Sequence, residues 1–195
     1  MDEGVHPYDP SYNRWEELQK QYNIDVLPQQ QRGDYILFSL QLDGDSALNR
    51  LIYNAIQYKD YCCNVIQQIK QLTDRPILIR SHPLDKTVIT HIKSIFGDTI
   101  EYSDYTNIYQ DLDRAYCMIT YNSTSCVESI LYGTPTITLD SSAVAHPVAN
   151  NITDIESLKE HDLTYWLQKI AFMQWQGKEL TDGYVWNLLK QTIQL

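Results

Sequence analysis

Five short, β-prone runs recur along this chain, and each is separated from the next by residues with helical spacing. The runs are Tyr35–Leu40, Pro76–Arg80, Thr99–Tyr102, Tyr116–Thr120 and Thr136–Leu139. Strands that are apolar throughout, rather than alternating, are strands buried on both faces, which is the condition of a parallel sheet. Between them, residues 47–72 place Leu48, Leu51, Ile52, Ala55, Ile56, Val65, Ile66 and Ile69 at helical intervals. Pro83–Phe96 does the same with Leu84, Val88, Ile89, Ile92 and Ile95. Ile108–Leu112 and Val127–Tyr132 supply two shorter helical segments, the second stopped by Gly133. Parallel neighbours cannot be joined by a hairpin and need right-handed crossovers. The pattern therefore predicts an α/β fold: a Rossmann-like, three-layer parallel sheet of about five strands with helices on both faces.

The regular alternation begins at Asp34, so residues 34–195 are expected to form one domain and residues 1–33 an N-terminal extension. The extension carries two X-Pro turns, an amphipathic stretch at Tyr12–Gln21 and a linker-like run from Pro28 to Gly33. Past the fifth strand, helical pieces are expected near 154–159, 163–174 and 182–193. Their aromatic residues Trp166, Phe172, Trp175 and Trp186 either fill a core between those helices or form a homodimer surface.

Composition narrows the partners. The formal net charge is −10 and no Lys/Arg stripe exists, which argues against a nucleic-acid duplex as partner. An acidic chain can still bind a small anion through a few placed groups. The acidic N-terminus has no apolar core of a signal peptide, and no run approaches the ~18 apolar residues of a membrane span. A reduced, cytoplasmic protein is expected, in which Cys62, Cys63, Cys117 and Cys126 serve as small apolar residues rather than disulfides or zinc ligands. On that expectation the sequons at Asn122 and Asn151 are coincidental.

In open α/β sheets, ligands bind outside the carboxyl ends of the strands. Polar residues do gather after these strands. Gln41-Leu42-Asp43-Gly44-Asp45-Ser46 follows the first, Arg80-Ser81-His82-Pro83 the second, Asn122-Ser123-Thr124-Ser125 the fourth, and Asp140-Ser141-Ser142 the fifth. The Asn122–Ser125 group sits where a helix begins. One hydroxyl would suffice to cap it, whereas four consecutive polar residues suit a neutral cradle for a phosphate. Arg80 and His82 could contact the same anion, or could pair with a surface carboxylate and cap the loop. Asp43 and Asp45 could serve as base or nucleophile, or could simply form a turn and a helix cap. Asp43-Gly44-Asp45 matches a metal-binding D-x-D only formally, so no metal is expected.

These segments together resemble the capsule-polysaccharide-biosynthesis glycosyltransferases, a group that includes the bacterial Kdo transferases. Ile36–Ser46 is similar to their first motif, and Ile79–Pro83 to their HP motif, which bacterial sialyltransferases share. Tyr121–Ser125, Glu128 and Leu131–Pro135 resemble their hydroxyl motif, its helix and its Gly-x-Pro turn. Gln174, Trp175, Gly183 and Trp186 resemble their closing helices. The resemblance implies the donor-binding half of a GT-B fold. It places a CMP-sugar phosphate on His82, Ser123 and Thr124, with Gln41, Arg80, Asn122 and Ser125 around the donor. Glu128 would face the ribose, and Asp45 or Asp43 would stand near the sugar carbon. No cofactor beyond the nucleotide-sugar donor is implied, and the acceptor would be a glycan. Residues 1–33 are too few for a second Rossmann-like domain. A partner chain or a second copy would supply the acceptor half, or the chain is a fragment, or it would bind nucleotide without turnover.

Overall fold

The structure, a computed structural model, describes residues 13–30, 33–54 and 56–193. The expected X-Pro turns of the first ten residues, Tyr12, Gln31, Arg32 and Ala55 lie outside them. The strands are β1 (Tyr35–Ser39), β2 (Ile77–Arg80), β3 (Glu101–Tyr102), β4 (Ala115–Thr120) and β5 (Thr136–Thr138). The helices are α1 (Arg14–Tyr22), α2 (Asn49–Tyr53), α3 (Tyr58–Leu72), α4 (Thr87–Phe96), α5 (Ile108–Leu112), α6 (Ser125–Leu131), α7 (Thr164–Ala171), α8 (Gly177–Thr181) and α9 (Tyr184–Ile193).

Every strand pairing is parallel and the sheet order is β3-β2-β1-β4-β5, as a Rossmann-like fold requires. Strand side chains alternate between faces. Ile36 and Phe38 of β1, Ile77 and Ile79 of β2, and Cys117 and Ile119 of β4 share one core cluster. Val65, Ile66 and Ile69 of α3 and Val88, Ile89 and Ile92 of α4 complete it. The intervening Leu37, Leu78 and Met118 are also buried, facing the layer of α5 and α6, which lie against β4. Each such side chain removed from water stabilises the fold by about 1.5–3 kcal/mol. All four cysteines carry free, buried thiols in these layers. Burial pushes each thiol up, that of Cys126 to about 11.

The chain forms two compact units. One runs Val26–His161 and contains the sheet; the other comprises Met1–Asp25 and Asp162–Leu195. Helix α1 therefore groups with α7, α8 and α9, where the sequence pattern had suggested an extension ending at residue 33. Within that helical unit, Arg14 is 2% exposed. Its guanidinium forms a two-pronged ion pair with Glu179, donates to the carbonyls of Ala171 and Gln174, and stacks on Trp175 at 4.4 Å. Trp166 and Phe172 are buried and Trp175 half-buried, but Trp186 is 54% exposed and so does not belong to this core. In the sheet unit, Leu27 and, within the expected linker run, Gln30 donate their N–H groups to the carbonyls of Leu131 and Gly133.

Three expected helices differ. The 47–72 segment divides into a 3-10 turn at Ser46–Leu48, α2, and α3, because Asn54 and Ile56 both donate back to Leu51 O and end α2. Ile56 is thereby left 41% exposed. The Pro83–Phe96 helix begins only at Thr87. Asp85 accepts from the Thr87 N–H at 2.7 Å and its hydroxyl at 2.6 Å, so residues 82–85 form the preceding turn. Leu84 in that turn is 81% exposed, and Ile95 faces outward at 52%. Residues 155–159 are not helical. Asn150 clamps Lys159 through its side chain, accepting from Lys159 N and donating to Lys159 O. No described helix is long and apolar enough to cross a membrane.

Candidate functional site

The sheet order changes direction between β1 and β4, because β2 and β3 lie to one side of β1 and β4 and β5 to the other. Polar segments following β1, β2 and β4 meet at this edge. Across the β1–β4 junction, Gln41 and Asn122 bind each other. Gln41 Nε2 donates to Asn122 Oδ1 and the Asn122 N–H donates to Gln41 Oε1, each at 2.8 Å. Asn122 Nδ2 also donates to Ala47 O and Ser142 Oγ. The Gln41 N–H donates to the Tyr58 hydroxyl. Both amides expected to face a donor thus tie the strand ends together.

Beside this junction, on the β2 side, a cavity of about 500 Å³ opens over the ends of β1, β2 and β4. It gathers Ser39, the Arg80–Pro83 turn, Thr106–Tyr109, Ser123, Thr124, Ser125 and Glu128. That volume lies within the range of small-molecule sites. Six expected donor-binding residues come together here: Arg80, His82, Ser123, Thr124, Ser125 and Glu128. Ser123 organises the hydroxyl cluster. Its Oγ accepts from the Ser125 N–H at 3.3 Å and from the Ser125 hydroxyl at 3.1 Å. Thr124 and Glu128 are exposed toward solvent, so both are available to a ligand. His82 Nδ1 accepts from the Leu84 N–H at 3.3 Å, which orients the ring and leaves Nε2 as the nitrogen that can donate.

Arg80 is placed otherwise than a free cation would be. Its guanidinium pairs with Asp111, which is fully buried, and donates to Tyr105 O at 2.9 Å and Thr106 O at 2.8 Å. The partner is a buried carboxylate and not the surface carboxylate that the sequence allowed for.

Asp43 and Asp45 stand apart from the hydroxyl cavity. Asp45 caps the 3-10 turn, its Oδ1 accepting from the Ala47 N–H at 3.0 Å. Asp43 lines a second cavity of about 380 Å³, with Gly44, Leu48, Leu51, Gln57, Tyr58 and Lys59 among its neighbours. The Asp43 N–H donates to Asp85 Oδ2 at 3.0 Å, which ties the loop after β1 to the turn after β2. Burial raises the Asp85 carboxyl, but hydrogen bonds from Thr87 and Asp43 and the nearby His82 outweigh it and hold it below its ordinary value. After β5, Asp140 is held low in a similar way. Burial raises it, and hydrogen bonds from Ser142 and Tyr121 with the Arg50 charge more than offset that. Among the described residues, no group of three His, Cys, Asp or Glu side chains converges to hold a metal.

The sequence pattern did not single out Ser39, Asn107 and Tyr109, which also line the larger cavity. A signal for Asn107 was present. The run Ser103-Asp104-Tyr105-Thr106-Asn107 follows β3 as the other polar segments follow their strands.

No curated protein sequence matches the chain. Among solved structures, it is similar to AviGT4, a glycosyltransferase involved in avilamycin A biosynthesis. That likeness has 12% identity and a TM-score of 0.45, covering 83% of this chain and 52% of that one. It is also similar to the S. aureus MnaA–UDP co-structure, with 15% identity and a TM-score of 0.39, covering 93% of this chain and 50% of that one. The chain thus spans about half the length of these solved relatives. The family model described as capsule polysaccharide biosynthesis protein matches residues 7–150, most of the sequence, and the chain belongs to that family.

Proposed function

We propose that this chain is the donor-binding half of a GT-B glycosyltransferase of capsule polysaccharide synthesis, and that its larger cavity seats the phosphate of a nucleotide sugar. The observation that carries this reading is the convergence of His82, Ser123, Thr124 and Ser125 on one cavity at the strand ends. Transfer of a sugar from such a donor breaks the bond between the anomeric carbon and a phosphate oxygen. The phosphate leaves with the bonding pair, and donors already aimed at it stabilise the charge that develops there. Hydroxyl groups and an imidazole N–H suit that task. Glu128, at the cavity rim, would accept from a ribose hydroxyl. The donor proposed is a CMP-sugar and the acceptor a glycan, with the acceptor half contributed by a partner chain or a second copy.

Calorimetric titration with CMP, UDP and GDP tests this reading. CMP binding that weakens by at least about tenfold in both His82→Ala and Ser123→Ala supports it, as expected for loss of a charge-assisted hydrogen bond. Absence of binding by all three nucleotides refutes it.

A second reading, binding without turnover by the chain alone, is favoured by the position of the aspartates. Asp45 is engaged in a cap and Asp43 faces the other cavity, so neither carboxylate meets the hydroxyl cluster. CMP binding without release of sugar from a CMP-sugar, by the chain alone, would select this reading over the first.

A further inference from the structure

We infer that Arg80 is a positioning residue, which fastens residues 105–109 as one wall of the larger cavity and does not itself bind the ligand's phosphate. The binding arm of this inference rests on the nucleotide reading above; the structural arm does not. Arg80 ends β2 with its side chain only 12% exposed, and its partner Asp111 is 0% exposed. Although Arg80 lines the cavity, three of the five N–H donors of its guanidinium are engaged by residues 105–111. Nη1 reaches Asp111 Oδ2 and Tyr105 O, and Nη2 reaches Thr106 O. The other carboxylate oxygen of Asp111 accepts from the Ser103 hydroxyl at 2.7 Å, and Ser103 Oγ in turn accepts from the Tyr105 N–H. Ser103 is anchored to the sheet, its N–H donating to Ile79 O. The Tyr35 hydroxyl donates to the Asp111 carbonyl from β1.

This closes a loop of interactions around one short segment. Residues 103–106 have no strand partner beyond Ser103, and β3 before them is only two residues long. Carbonyls of such a segment need donors, and a planar guanidinium supplies several in a fixed geometry. The segment leads directly into Asn107, whose side chain caps α5, and Tyr109, and both line the cavity. The position of that wall therefore depends on Arg80. Its charge is meanwhile neutralised by a carboxylate that has no other cation among its described partners, which leaves little net attraction for a phosphate.

Amide hydrogen exchange of the full chain without ligand, combined with titration by CMP and cytidine, tests this. The variants are Arg80→Gln, the pair Arg80→Gln with Asp111→Asn, which strands no buried charge, and the milder Ser103→Ala. Exchange of residues 105–109 is expected to quicken by at least about tenfold while β1 and β4 stay protected, the mark of local opening rather than global loss. CMP and cytidine are expected to weaken by the same factor, because a displaced wall is felt by both. Unchanged exchange at 105–109 in the double variant overturns the inference. So does a loss for CMP at least about tenfold greater than for cytidine, which would mark a direct phosphate contact. If the unmodified chain binds no CMP, UDP or GDP, the nucleotide reading falls while the exchange result still decides the role of Arg80.

Discussion

Gln41 and Asn122 form a closed amide pair across the ends of β1 and β4, with both hydrogen bonds at 2.8 Å. In an open α/β sheet the gap at this point is the usual ligand crevice. Here the pair bridges it, and the open cavity lies to the β2 side. Gln41 is 4% exposed, so truncating it leaves Asn122 groups without partners in a largely dry place. Gln41→Ala is expected to lower the unfolding free energy by about 1–3 kcal/mol in urea denaturation. The double variant with Asn122→Ala is expected to cost less than the two single losses summed. An unchanged urea midpoint together with lost nucleotide binding would instead return Gln41 to the ligand.

How the sequence could and could not foretell this follows from the reach of each interaction. The strands were legible because a buried parallel strand must be apolar at every position, and Ile36–Phe38, Ile77–Ile79 and Cys117–Ile119 are. The hydroxyl cluster was legible because its place after a strand is a local fact. The start of α4 was not, since Asp85 rather than Pro83 sets it by capturing Thr87. Nor was the role of Arg80. Its partner Asp111 is 31 residues away, and nothing local distinguishes a carboxylate that will be buried from one that will be solvated.

Within the hydroxyl cluster the members are not equivalent. Ser123 Oγ is the hub, whereas Thr124 makes no side-chain cap and is exposed. Ser123→Ala is expected to weaken CMP at least about tenfold by removing a ligand contact and releasing Ser125. Thr124→Val keeps the shape and removes only one hydroxyl, so a smaller loss is expected. Titration calorimetry on the two variants decides, and a larger effect at Thr124 would contradict this order.

Gly133 ends α6 at φ +79°, and a Cβ there would stand 2.4 Å from the carbonyl oxygen of Pro28. Gly133→Ala therefore meets both a left-handed backbone and the bound 27–30 segment. A loss above about 1 kcal/mol is expected from chemical denaturation, more than the left-handed backbone alone would cause. A variant as stable as the parent would mean that the 27–30 segment does not rest on this turn.

In the helical unit, the hydrogen bond from Arg14 is the chief reason that the Glu179 carboxyl titrates below its ordinary value, although burial opposes it. A carboxyl depressed in the folded state contributes stability that is present above its unfolded pKa. That contribution is lost as pH falls through the folded value. Thermal stability of the helical unit is therefore expected to decline as pH drops below about 4, the ordinary glutamate range. Glu179→Gln is expected to be less stable than the parent at pH 7 and to lose less on acidification. A variant with the parent's full acid response would assign that response to other carboxylates.

The proposed function puts the nucleotide in the cavity of His82, Ser123, Thr124, Ser125 and Glu128. Backbone amide shifts of the isotope-labelled chain during titration with CMP test it most directly. The largest changes are expected at residues 81–82, 106–109 and 123–128, since Pro83 carries no amide N–H. Changes centred on 43–59, around the Asp43 cavity, or no saturable change at all, would contradict it.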